Sequence, residues 1–145
     1  MYPIKTILHP TDETHDFSGA WKLTLLLAKD HGAEVVVAHV IPPPAAAFSE
    51  VDVAFQQPAV TPFEDLEILR QNFVSNDDIR IRHVVDQGDA GDVIVRLAEK
   101  EHASMIVMGT HGRKGLGRFV MGSVAEHVIR RAKCPVLTVK SDWEP

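Results

Sequence analysis

The sequence contains almost no cysteine. Cys134 is the single cysteine among the 145 residues. One cysteine cannot form a disulfide within the chain, and it excludes a CxxC pair for metal or redox chemistry. Because it lies between a helical pattern and a strand that begins with proline, we expect a small, buried hydrophobic residue rather than a reactive thiol.

Long apolar runs and an excess of positive charge are also missing. No run reaches the roughly 18 apolar residues of a membrane span, and the opening stretch MYPIKTILHPTD lacks the apolar core of a signal peptide. The formal net charge of −5 argues against nonspecific nucleic-acid binding. We therefore expect a cytoplasmic protein without membrane or nucleic-acid partners. A hydrophobic content of 45% fits one domain over residues 1–145 with a substantial core.

Neither standard nucleotide fingerprint is present: there is no GxxxxGK[ST], and no GxGxxG directly after a strand. The chain does contain an apolar strand, a glycine-rich loop and a helix start between Met105 and Lys133. Glycines let a backbone approach a ligand closely, and the first turn of a helix offers N–H groups and a positive dipole end to a phosphate. The loop holds Gly109, Gly112, Gly115, Gly117, Arg113, Lys114 and Arg118, and it closes at Gly122-Ser123. Phosphate binding is favoured over a plain surface turn.

The glycine spacing matches a known family. Gly109, two residues, Gly112, nine residues and then Gly122-Ser123 form the pattern G-x2-G-x9-G-[ST]. This pattern resembles the ATP-binding branch of the universal stress protein family. The segments IKTILHPTD, VVVAHVI and CPVLTVK are similar to the first, second and last strands of that family.

Strand and helix patterns alternate along the chain. Strands are predicted at residues 4–8, 34–41, 79–85, 105–108 and 136–139, and helices at 18–31, 63–73, after a turn at 88–92, and at 123–132. The first strand is expected to end in the turn-forming residues His9-Pro10-Thr11-Asp12. The proline-rich segment from Pro42 to Pro62 is interpreted as a flap over the exit of the second strand.

This alternation predicts an α/β fold, a single doubly wound domain with a five-stranded parallel sheet and helices on both faces. The family resemblance implies the strand order 3-2-1-4-5. In such a sheet a ligand binds outside the carboxyl ends of the strands, where the strand order reverses. The crevice is therefore expected between the first and fourth strands.

The resemblance also implies which residues contact ATP. An aspartate at position 12 would accept from the adenosine, although the same residue type is common in turns and helix caps. Backbone N–H groups in the glycine loop and at the helix start would contact the triphosphate. The candidate nucleotide-binding residues are Pro10, Thr11, Asp12, Val40, Met108, Gly109, Gly112, Arg113, Gly122, Ser123 and Val124.

Three histidines, at positions 9, 39 and 111, are expected near this crevice. They have no HxH or HxxxH spacing, so core or hydrogen-bonded histidines are favoured over a zinc site. We expect any Mg²⁺ to be held mainly by the phosphates of ATP, because Mg²⁺ needs few protein ligands.

Two function classes are compatible with these features. The first is a nucleotide-binding module in stress response or signalling. The alternative is a slow ATPase or a nucleotidyl-transfer enzyme that uses the same crevice. The nucleotide-binding module is favoured because no dedicated base is evident beside the phosphates, and no catalytic residue is assigned.

The last predicted strand, Val136–Val139, has the sequence VLTV, without charge or proline. An unprotected sheet edge of this kind tends to pair with another chain. The family resemblance implies the same, a homodimer through this strand. The alternative is that the tail from Lys140 to Pro145 covers the edge.

Overall fold

The computed structural model describes residues 2–11, 19–43, 62–74, 78–110, 121–140 and 142–145. Within these ranges five strands alternate with four helices, as predicted. The elements are β1 (Thr6–Thr11), α1 (Gly19–His31), β2 (Glu34–Ile41), α2 (Pro62–Asn72), β3 (Ile81–Gln87), α3 (Ala90–Lys100), β4 (Met105–Gly109), α4 (Ser123–Arg131) and β5 (Val136–Val139).

The strands form one sheet of order β3-β2-β1-β4-β5 in which all neighbours are parallel. This confirms the predicted fold class and strand order. The order reverses between β1 and β4, so their carboxyl ends face the expected crevice. The edge strands are β3 and β5.

Side-chain alternation along β1 divides the core into two layers. Ile7 points to the face that is covered by α1 and α2, where the buried residues include Trp21 and Phe73. Leu8 points to the opposite face, where α3 and α4 contribute residues such as Leu97 and Val128. Helices on both faces explain why the central strands are almost continuously apolar.

Helix boundaries follow local sequence signals. Gly32 adopts a φ of +64° directly after α1, a conformation that glycine reaches without strain. Asp89 caps α3 by accepting from the backbone N–H of Asp92 at 3.1 Å. Among the described residues, no helix combines the length and the apolar content that a bilayer span requires.

Two strands lie further along the chain than the sequence predicts. The turn predicted after Leu8 is wrong, because β1 continues through Pro10 and Thr11, which pair with Ala38 and His39 of β2. The third strand begins at Ile81 rather than at residue 79 and continues to Gln87. Most of the proline-rich segment, residues 44–61, lies outside the described residues.

Candidate functional site

The crevice begins where β1 and β4 stop pairing. Their register covers only Ile7 with Met105 and Leu8 with Ile106, whereas β1 stays paired with β2 through Thr11. Pro10 explains the difference, because a proline has no N–H to donate to a neighbouring strand. Backbone pairing between β1 and β4 therefore ends after Leu8, and the crevice lies on the carboxyl side of this residue.

His9 compensates for the donor that Pro10 lacks. If the β1–β4 register continued, the carbonyl of Val107 would face the backbone nitrogen of residue 10. Instead, Nδ1 of the fully buried His9 lies 2.9 Å from that carbonyl oxygen. A carbonyl only accepts, so the imidazole donates. This position confirms the prediction that His9 is a hydrogen-bonded core histidine.

The glycine loop is closed at its base by one backbone hydrogen bond. The N–H of Gly122 donates to the carbonyl of Thr110 at 2.7 Å, and Thr110 in turn donates to Val139 of β5 at 2.9 Å. This anchors the start of α4 beside the end of β4. The described residues on either side of the segment 111–120, which itself lies outside the described residues, are thereby held together.

The start of α4 presents backbone N–H groups. Gly122 is the N-cap, with φ −60° and ψ 150°, and it makes no side-chain cap hydrogen bond. The first bond of the helix runs from Glu126 N–H to the Gly122 carbonyl at 3.0 Å. Helix geometry therefore leaves the N–H groups of Ser123, Val124 and Ala125 without intrahelical acceptors. Such a helix entrance favours an anion.

A buried polar contact joins β1, β2 and α2 at the exit of β1. Nδ1 of His39 lies 3.2 Å from the carbonyl oxygen of Thr11, and its Nε2 lies 3.7 Å from Oδ2 of Asp65. Asp65 is only 7% exposed. Sequence analysis missed Asp65, although its spacing from Leu69 and Phe73 at i+4 and i+8 places it on the buried face of α2.

Most of the predicted site residues lie along this carboxyl edge of the sheet. Pro10, Thr11 and Val40 are in the last residues of β1 and β2; Met108 and Gly109 end β4; and Gly122, Ser123 and Val124 open α4. Their contacts with a ligand stay a prediction. Asp12, His111, Gly112 and Arg113 lie outside the described residues.

A second polar cluster at this edge joins α3 to α4. Nε2 of His127 lies 2.8 Å from Oδ1 of Asp92. One carboxylate oxygen of Asp89, one of Asp92 and one ring nitrogen of His127 all lie within 4.8 Å of one another. The His127 ring packs against Gly91, where an added Cβ would lie 2.7 Å from ring atoms. We interpret this cluster as a contact that holds the two helices together.

The side chains of Asp86 and Cys134, both outside the crevice, have shifted pKa values. Hydrogen bonding to Arg96 and to the Gln87 backbone lowers the pKa of Asp86 at the end of β3. Burial raises the pKa of the Cys134 thiol, which supports the expectation of an unreactive side chain. Cys134 is partly buried and packs against the α3–α4 layer.

A doubly wound parallel sheet with a glycine loop at its switch point defines a class of small α/β proteins with a ligand crevice at that position. Comparison with known families identifies the class more closely. The family model described as the universal stress protein family matches residues 3–140. The chain belongs to this family.

Relatives in sequence and in structure agree with this assignment. A universal stress protein of Methanocaldococcus jannaschii is 32% identical over 143 residues, which cover 94% of this chain and 82% of the relative. A family protein of Burkholderia pseudomallei, solved as a crystal structure, is 26% identical with a TM-score of 0.57 and covers 94% of this chain and 96% of its own.

More distant solved structures share the fold. A universal stress protein in complex with cAMP has a TM-score of 0.68 at 23% identity, covering 97% of this chain and 99% of its own. One from Archaeoglobus fulgidus in complex with dAMP has a TM-score of 0.59 at 22% identity, covering 97% of this chain and 100% of its own.

Proposed function

We propose that this protein binds ATP and acts as a nucleotide-dependent module in stress response or signalling. The adenosine lies at the exits of β1 and β2, beside Thr11, Asp12 and Val40. The triphosphate lies against the glycine loop and the first turn of α4. Membership in the universal stress protein family and the reversal of strand order between β1 and β4 support this assignment.

The entrance of α4 is the observation that carries the proposal. Three successive N–H groups, from Ser123 to Ala125, begin a helix whose N-cap is a glycine, so no Cβ stands between the helix end and an approaching anion. The hydrogen bond between Gly122 and Thr110 fixes this entrance beside β4. A phosphate placed here gains from the hydrogen bonds and from the helix dipole.

A divalent cation enters this account only with the nucleotide. We propose that Mg²⁺ is held mainly by the phosphates, because it keeps several waters and needs few protein ligands. The bound Mg²⁺ would neutralise part of the phosphate charge beside the entrance of α4. The expected contribution of Arg113 to the outer phosphates stays a prediction.

We also propose that two copies of the chain form a homodimer through β5. The strand lies at the sheet edge and pairs with β4 on its other side. The described part of the tail contacts α1: Lys22 Nζ lies 3.1 Å from Glu144 Oε2, and an added Cβ at Gly19 would collide with the carbonyl of Trp143. The edge of β5 is the surface that we assign to the partner. The cytoplasmic location and the single-domain organisation stay predictions.

A thermal-shift panel tests the choice of ligand. ATP, ADP, AMP, cAMP, dAMP and GTP are each added with Mg²⁺, and the melting temperature is recorded. A ligand at about 100 times its dissociation constant adds ~2.7 kcal/mol, which raises the melting temperature of a domain of this size by about 5 to 10 °C. ATP should give the largest shift. A larger shift with cAMP or dAMP would reassign the ligand, and ADP appearing from bound ATP within the assay would favour the enzyme alternative.

A further inference from the structure

The cluster of Asp89, Asp92 and His127 contains a buried polar atom that makes no hydrogen bond. Nε2 of His127 is shielded from solvent and has no hydrogen-bond partner among the described residues. Oδ1 of Asp92 lies 2.8 Å from this nitrogen, yet the contact lacks the direction of a hydrogen bond. A buried polar atom in this state is costly unless another group satisfies it. An ordinary ion pair between the two side chains therefore leaves the nitrogen unexplained.

The chemistry of the three donors suits a divalent transition-metal ion. Imidazole nitrogen and carboxylate oxygen are ligands of Zn²⁺, which often has three protein ligands and one water. Mg²⁺ and Ca²⁺ prefer oxygen ligands alone, so the histidine favours Zn²⁺ over either ion. Two ionised carboxylates and a neutral imidazole also balance the charge of a divalent cation.

The donor atoms are close to the separation that a bound ion requires. Ligands at about 2.0 to 2.1 Å from a tetrahedral ion lie about 3.3 Å from one another. The distance between His127 Nε2 and Asp92 Oδ1 is 2.8 Å, and the three donor atoms all lie within 4.8 Å of one another. The two aspartates are exposed, so their side chains can rotate to close the remaining distance.

Contacts around the cluster orient two of the donors. Oδ1 of Asp89 accepts from the backbone N–H of Asp92 at 3.1 Å, which fixes the carboxylate and leaves its second oxygen available. The His127 ring packs against Gly91, where an added Cβ would lie 2.7 Å from ring atoms. Supporting contacts of this kind orient the ligands of metal sites.

We propose that Asp89, Asp92 and His127 bind one Zn²⁺, which links α3 to α4. The aspartates lie at the start of α3 and the histidine lies on α4, so the bound ion crosslinks the two helices. His127 is about 6 Å of helix rise from Ser123, so the ion also steadies the entrance of α4. The site uses none of the side chains assigned to the nucleotide, and it stands independently of the proposed function.

Titration calorimetry with ZnCl₂ tests the site in chelator-treated protein without nucleotide. The parent should bind one Zn²⁺ at the cluster. In a thermal-shift assay, Zn²⁺ at about 100 times its dissociation constant should raise the melting temperature by about 5 to 10 °C. MgCl₂ at the same concentration should give a smaller shift. A parent that binds no Zn²⁺ at millimolar ZnCl₂ would overturn the proposal.

Substitutions of the three ligands locate the ion. Asparagine caps a helix as well as aspartate does, so Asp89→Asn removes the charge and keeps the start of α3. Asp89→Asn, Asp92→Asn and His127→Gln should each weaken Zn²⁺ binding at least about tenfold. Circular dichroism shows that each variant folds, and the two asparagine variants keep the test valid if His127→Gln does not.

His31 provides the matched control. It is an exposed histidine and the last residue of α1, at the opposite edge of the sheet. His31→Ala should bind Zn²⁺ with parental affinity. Parental affinity in a folded His127→Gln, or in both aspartate variants, would indicate an adventitious ion only and would overturn the site. An equal loss of affinity in His31→Ala would overturn it as well.

Discussion

At the scale of single residues, the ion pair between Asp86 and Arg96 makes stability depend on pH. Nη2 of Arg96 lies 2.9 Å from Oδ2 of Asp86, and this hydrogen bond is the main cause of the lowered pKa of the carboxyl. A lowered pKa means that folding favours the ionised form. The resulting stability is present above the ordinary value of 3.8 and is lost as the pH falls through the lower value of the folded state.

Comparing the parent with Asp86→Asn tests this linkage. Because both side chains are well exposed, the parent should be more stable at pH 7 by less than about 1 kcal/mol, and the difference should shrink below pH 3.8. Urea denaturation at pH 7, 5 and 3 measures it. Arg96→Gln removes the other partner and should give a similar pH dependence. A difference that is constant between pH 7 and pH 3 would contradict the assignment.

Residues also show where sequence reasoning succeeds and where it stops. The glycine spacing predicted the position of the helix entrance, because glycines at fixed separations are a local signal. The hydrogen bond between His9 and Val107 could not be predicted from the sequence, because it depends on the register between β1 and β4. The burial of Asp65 could have been predicted from its i+4 spacing to Leu69. It was missed because a carboxylate on a helix is ordinarily exposed to solvent.

At the scale of elements, the contact between α3 and α4 depends on a missing side chain. Gly91 lies in α3, and an added Cβ would lie 2.7 Å from the Cγ and Cδ2 atoms of His127. Alanine is favoured over glycine in a helix by about 0.5 to 1 kcal/mol, whereas overpacking costs about 1 to 3 kcal/mol. The clash should therefore exceed the gain in helix propensity.

A double-mutant cycle tests this contact through a change of sign. Gly91→Ala should lower the free energy of unfolding in the parent and raise it by about 0.5 to 1 kcal/mol in the His127→Ala background. Urea denaturation of the four proteins gives all values. An increase in both backgrounds would show that the ring moves away at no cost, and a decrease in both would show that the cost of alanine does not come from His127.

Element types were predictable, but the end of β1 was not. Apolar runs and helical spacing indicate strands and helices locally, and the observed order of elements agrees with them. The end of β1 was wrong because His9, Pro10 and Thr11 have turn-forming propensities, while pairing with β2 keeps this stretch extended. Tertiary hydrogen bonding overrode the local preference.

At the scale of the whole molecule, proline substitutions test the proposed dimer. The N–H of Ile106 donates to the Pro135 carbonyl and that of Thr110 to the Val139 carbonyl. In a parallel ladder this pattern turns the N–H of Leu137 towards β4 and that of Thr138 towards the open edge. Thr138→Pro should therefore give a folded monomer, whereas Leu137→Pro should lower stability by more than about 1 kcal/mol.

Light scattering at tens of micromolar protein measures the oligomeric state of the parent and of both variants, and circular dichroism reports whether each one folds. A monomeric parent would refute the dimer. A dimer that survives both substitutions would place the interface on another surface.

The central claim is that the entrance of α4 binds the phosphates of ATP, and calorimetric titration of three proteins tests it most directly. Gly122 has φ −60° and ψ 150°, which any residue adopts, so Gly122→Val adds bulk at the phosphate position without backbone strain. Gly32→Val is the matched control. The φ of +64° at Gly32 makes valine costly to stability. Gly32 lies just before β2, at the amino ends of the strands, so it is away from the proposed phosphate position.

With ATP and Mg²⁺, the parent and Gly32→Val should bind with similar affinity, and Gly122→Val should show no binding. Binding by Gly122→Val at parental affinity, or no heat of binding in the parent at millimolar ATP, would contradict the account.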